Sequence, residues 1–195
     1  TIGPGVDVQF QGAYSLQIEG TLRAIGTEQE RISFYGIDNA EWDGIICVND
    51  AGSRFSHVST THVRNGIDGY FDIDHSEISS TSGYALRGSM GTVRENEIIG
   101  KIWISDASLF GNAFIQDDET YIENSIISGN DFSGGSFGIR ILNSFISGNE
   151  FSGGSTRISY SFISGNEFSG GSTEITIQES LGENNKFERK TLMLY

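Results

Sequence analysis

The sequence predicts an all-β fold, a single-stranded parallel β-helix with short coils, and three observations predict it. An Asn recurs two residues before an apolar side chain at Asn96, Asn112, Asn130, Asn149, Asn166 and Asn185, at spacings of 16, 18, 19, 17 and 19 residues. The stretch SFISGNEFSGGST at 144–156 returns unchanged at 161–173, and SIISGNDFSGGS at 125–136 is close to both. Within each unit apolar residues alternate, as in Ile139 and Ile141, Ile158 and Tyr160, or Ile175 and Ile177. Alternation is the signature of a strand, and a fixed repeat period signals a stacked solenoid. The unit is also too short for a helical pair, which needs roughly 33–34 residues.

The repeats assign roles by position. Near-identical units occupy 125–143, 144–160 and 161–178, and coils of about 16–20 residues follow from the Asn spacings. Stacked coils sit about 4.8 Å apart, so equivalent residues lie one above another. Phe114, Phe132, Phe151, Phe168 and Phe187 then stack inside, and the six Asn form a corner ladder. Such a ladder satisfies polar groups that a tight corner leaves unpaired. Gly-Gly pairs at 134–135, 153–154 and 170–171 mark bends between strands. The tail, with Thr191, Leu192, Met193 and Leu194, supplies a last strand.

Earlier in the chain the pattern is less regular but still alternates. Val6, Val8 and Phe10 are followed by Leu16 and Ile18, Leu22 and Ala24, then Ile32 and Phe34, with Gly12, Gly20, Gly26 and Gly36 between them. Residues 4–10 read PGVDVQF, residues 16–26 read LQIEGTLRAIG, and Trp42-Asp-Gly-Ile45 follows an Ile-Ser-Phe strand. These motifs resemble the opening coils of the pectate-lyase-like superfamily. That resemblance implies a right-handed coil and an extracellular, cell-surface or periplasmic protein. It leaves function open, because the superfamily holds lyases, hydrolases, epimerases, adhesins and proteins without activity. The family's GHG, NTD, RIK and R-x-P-x-x-R signatures have no counterpart in this chain. From 53 to 90, Phe55, Val58, Val63, Ile67, Phe71, Ile73, Ile78 and Leu86 are expected inside.

Composition narrows the partners. The chain of 195 residues fits one domain, 1–195, read as a segment of a larger protein because the opening falls mid-pattern and neither end shows a helical cap. A net charge of −14 argues against nucleic acid, whose binders carry basic patches. No apolar run approaches the roughly 20 residues of a membrane span. The single cysteine, Cys47, lies in the apolar run Gly44–Val48 and reads as a buried thiol.

Four constellations are candidates for function. Asp68, Asp72, Asp74 and His75, with Arg64 nearby, offer paired carboxylates for glycosidic chemistry or a Ca²⁺ site; simple alternation instead puts these Asp on a solvated face. His57 and His62 are five residues apart, on opposite faces of a strand, and do not make a metal site with His75 by spacing. Asp131, Glu150 and Glu167 each follow a ladder Asn and form an outward acidic row, either solvated or holding a cation. Ile126, Phe145 and Phe162 precede inward Ile residues and form an outward apolar stripe, unless the corner tucks them in. A row of Ser128, Ser147 and Ser164 faces solvent on the same coils, a weak match to a flat ice-binding surface. The expectation is a structural, adhesive or carbohydrate-binding β-helix, with a polysaccharide or another protein domain as partner and a homodimer as one assembly. A polysaccharide-processing enzyme with a groove near 57–87 is the alternative reading.

Overall fold

In the computed structural model, which describes residues 1–48, 52–89, 91–116, 119–134, 138–169, 174–188 and 191–194, each coil contributes three strands to three faces. The first coil lays down Asp7–Phe10, Ser15–Ile18 and Arg23–Ile25 on the first, second and third faces. Ile32–Gly36, Gly44–Cys47 and Ser53–Ser56 pair with them in parallel one coil later. The same step repeats to the end of the chain, where Thr191–Leu194 forms the expected last strand against Glu174–Gln178. The third face is a nine-stranded sheet. The other two are joined into one 18-stranded sheet by Glu77–Ser89 and Glu97–Ser105, which run from the first face onto the second. This is an all-β parallel solenoid; among the described residues its one helical element is the 3₁₀ turn Ile37–Asn39.

Uneven Asn spacing has a local cause. The shortest coil, the 16 residues from Asn96 to Asn112, rounds the corner between first and second faces as the unbroken strand Glu97–Ser105. Longer coils break there, as between Asp131–Gly134 and Gly138–Leu142. Of the predicted bend glycines, Gly134, Gly153 and Gly154 lie in this region, while Gly135, Gly170 and Gly171 fall outside the described residues. Gly153 is held there by close approach, since a Cβ would meet the Gly134 carbonyl oxygen at 1.9 Å.

The interior is a column of stacked side chains. Phe114, Phe132, Phe151, Phe168 and Phe187 stack with centroids 4.8–5.0 Å apart and ring planes within 16°. Each such aromatic pair adds about 0.5–1.5 kcal/mol beyond the area it buries. Trp42 closes the early coils: it is fully buried, stacks on Phe10 at 4.1 Å, and its indole N–H donates to the Thr61 carbonyl at 3.0 Å. The interior set expected between 53 and 90 is buried throughout. Cys47 is buried too, and burial pushes its thiol pKa up.

Two polar ladders hold the corners. At the first, each Asn side-chain oxygen accepts the backbone N–H and the side-chain N–H of the Asn one coil before. For Asn149 these bonds come from Asn130 at 2.9 and 3.0 Å, and its own amide donates to Asn166 at 3.0 Å and to the Ile127 carbonyl at 2.9 Å. The ladder runs from Asn96 to Asn185 and is extended toward the N-terminus by Ser76. The second ladder, between second and third faces, is made of Ser125, Ser144, Ser161 and Ser180, each hydroxyl accepting the previous coil's backbone N–H. The sequence reading missed it, because serine is common across these repeats and its column does not stand out.

The residue just before each ladder position turns the corner with positive φ. Gly111, Gly129, Gly148 and Gly165 take φ of 60–63° there, the left-handed region that glycine enters freely. On earlier coils the same corner is occupied by His57, His75 and Glu95, at φ of 52°, 50° and 55°. Tyr160, expected to alternate inward after Ile158, instead turns the other corner at φ 53° and is exposed.

Candidate ligand-binding face

The predicted acidic cluster is divided by the fold. Asp68 lies on the second face and pairs with Arg87. Asp72 and Asp74 sit at opposite ends of the third-face strand Phe71–Asp74, with Ile73 inward between them. Asp72 accepts the Thr92 backbone N–H at 2.7 Å. Asp74 is buried, contrary to simple alternation, and receives bonds from Ser56, from Arg54 at 3.0 Å and from His75 at 3.1 Å. Burial raises its carboxyl pKa, but those three bonds outweigh it and hold the group below its ordinary 3.8. Arg64 bridges Glu41 at 3.0 Å and Asp43 at 2.8 Å. Asp68 is thus held apart from Asp72 and Asp74 by the angle between two faces.

The two predicted rows are in register. Asp131, Glu150 and Glu167 stack on the outside of the first face, and Lys186 ends the row with an ion pair to Glu167 at 2.6 Å. Ile126, Phe145 and Phe162 stack outward on the third face and are 48, 65 and 39 % exposed. Leu181 extends the stripe by one coil. Ser128, Ser147 and Ser164 form the neighbouring row, with Ser147 donating to Ser128 at 3.2 Å.

The second face carries a constellation that the sequence reading did not single out. Its outward column runs Asp68, Arg87, Trp103, Tyr121, Arg140, Arg157, one residue per coil. Tyr84 and Lys101 are paired beside it. Trp103 is 46 % exposed, although a tryptophan in a β-solenoid has ample interior to occupy. Its ring lies 6.2 Å from that of Tyr84 and 6.3 Å from that of Tyr121. Lys101 and Arg87 stand over the Tyr84 ring at 5.0 and 5.6 Å, within cation–π reach. The Tyr121 hydroxyl donates to Glu123 at 3.1 Å; burial pushes its pKa up, and the Glu123 carboxylate adds to the rise.

Two shallow clefts flank the indole. One, of about 290 Å³, is lined by Tyr84, Lys101, Trp103, Tyr121 and Arg140. The other, of about 300 Å³, is lined by Asp68, Arg87, Trp103, Ser105 and Glu123. A third cleft continues along the axis past Arg140 and Arg157. The face combines apolar ring surfaces with donors and acceptors around their edges, the mixture that positions a polar ligand bearing apolar patches. A signal for it exists in the sequence. Arg87, Trp103, Tyr121, Arg140 and Arg157 are spaced 16, 18, 19 and 17 residues apart, the same series as the first four Asn intervals.

No helix among the described residues is long and apolar enough to cross a membrane. Comparison with protein-family models, with curated proteins and with solved structures gives no match.

Proposed function

We propose that the second face binds a carbohydrate chain lying along the solenoid axis, as the recognition surface of an extracellular or cell-surface β-helix akin to the pectate-lyase-like superfamily. The observation that carries this reading is Trp103, exposed and flanked by Tyr84 and Tyr121. Sugar rings have an apolar C–H face and a rim of hydroxyls. An aromatic ring covers the first, and Arg87, Lys101, Glu123 and Arg140 reach the second. Positions repeating once per coil, about 4.8 Å apart, suit a linear polymer of repeating units. The reading is of binding without cleavage. The division of Asp68 from Asp72 and Asp74 supports it over a paired-carboxylate hydrolase.

The test is retention of the protein in native gels containing neutral or acidic polysaccharides. Wild type is expected to be retarded by at least one, and Trp103→Ala to weaken that binding by about 2 kcal/mol, roughly 30-fold, as for a central aromatic anchor. Retardation unchanged by Trp103→Ala rejects this face. A second reading, contact with another protein or a second copy, rests on the Ile126, Phe145, Phe162 and Leu181 stripe, which is apolar and has no ring of polar groups of the kind around Trp103.

A further inference from the structure

His57 and His75 are 18 residues apart, one coil, and their rings lie parallel with centroids 4.9 Å apart. Both turn the same corner with positive φ, and Glu95 takes the next place in that column. The hydrogen bonds around them fix which nitrogen carries the proton. Asp74 is a carboxylate and can only accept. Ser56 therefore spends its one hydroxyl proton on Asp74, and its oxygen accepts from the Nδ1–H of His57 at 3.1 Å. His75 likewise donates Nδ1–H to Asp74 at 3.1 Å. Both imidazoles are thus held through Nδ1 by one buried carboxylate, and both keep Nε2 for an electrophile. Toward solvent the pair lines a cleft shared with Glu77, Glu95 and Glu97. The Nε2 of His75 faces the Glu95 carboxylate at 2.5 Å. Two lone pairs do not meet at that distance without a cation between them or a proton on the ring.

We propose that His57, His75 and Glu95 form a binding site for a divalent transition ion of the Zn²⁺ class. The ligand-bearing groups of His57, Asp74 and His75 already lie within 4.8 Å of one another. Imidazole nitrogen selects such ions over Ca²⁺ and Mg²⁺, which take oxygen ligands. Asp74 plays the orienting part that a carboxylate plays behind a metal-bound histidine, fixing the tautomer and the ring direction. Ring lone pairs lie in the ring planes, so binding turns the two imidazoles out of their parallel stack. A shared ion with bonds of about 2.0–2.1 Å also draws the two Nε2 atoms closer together. The side chains have room for this: His75 is 39 % and Glu95 52 % exposed. With three protein ligands, the remaining position opens to the cleft.

The experiment is a calorimetric titration of the full chain with Zn²⁺ alone, in the presence of excess Ca²⁺ to saturate surface carboxylates. One saturable ion per chain is expected. His57→Asn and His75→Asn are each expected to weaken it at least tenfold, and Asp74→Asn by roughly 10–100-fold. Asn tolerates the left-handed corner, so both His variants are expected to melt as wild type does without metal. Co²⁺ gives an independent readout on unmodified protein, a visible absorption band from nitrogen ligation that the double variant lacks. Absence of saturable Zn²⁺ binding to wild type overturns the proposal. So does binding that persists in the His57→Asn, His75→Asn double variant, or that Ca²⁺ displaces.

Discussion

Asn149 illustrates how one side chain closes five bonds. Its oxygen accepts two from Asn130, and its amide donates to Asn166 and to the Ile127 and Ser147 carbonyls, all at 2.9–3.0 Å. Asn149→Ala removes those partners and strands the buried Asn130 N–H. A loss of about 1–3 kcal/mol is expected by chemical denaturation, with ligand binding kept in the folded fraction. An unchanged unfolding midpoint would contradict a buried ladder. Thr120 gives the opposite expectation. It stacks inward between Ile102 and Ile139, and its hydroxyl is buried with no hydrogen-bond partner. Val has nearly the same shape without the hydroxyl, so Thr120→Val is expected to stabilise the chain by about 1–3 kcal/mol. A destabilised Thr120→Val variant would mean that the hydroxyl is satisfied in solution.

At the scale of strands and faces, one exposed stripe separates two kinds of surface. Phe145 and Phe162 lie 6.3 Å apart on the outside of the third face, and neither contributes to the Phe132–Phe168 column. Phe145→Ser with Phe162→Ser is therefore expected to fold with a wild-type melting temperature and to be monomeric by light scattering at concentrations where wild type self-associates. If the double variant unfolds, the stripe is core; if wild type is a monomer at high concentration, self-association is dropped. Elements were legible in the sequence wherever identical residues recur: the Asn ladder and the Phe stack each repeat one side chain, and parallel stacking makes that repetition a contact. The second face escaped notice because its column changes residue at every coil, from Arg to Trp to Tyr to Arg. The His57 and His75 pair escaped because five-residue spacing to His62 was weighed and the one-coil spacing of 18 was not. Asp74 escaped because alternation speaks only for residues within a strand, and it sits at a corner beneath two imidazoles.

Over the whole molecule, a strongly acidic chain places Arg87, Lys101, Arg140 and Arg157 along one face with its exposed Trp and two Tyr. A solenoid makes this possible because each coil contacts only its neighbours, so outward side chains vary freely once corners and core are satisfied. The two tryptophans then report on different regions, Trp42 fully buried and Trp103 exposed on the proposed binding face. In a Trp42→Phe background, Trp103 fluorescence can be followed alone while oligosaccharides from a retarding polysaccharide are added. The account predicts a blue shift of the emission and protection of Trp103 from iodide quenching, saturating with the same midpoint as binding measured by calorimetry. Saturable oligosaccharide binding that leaves Trp103 emission and quenching unchanged would contradict it.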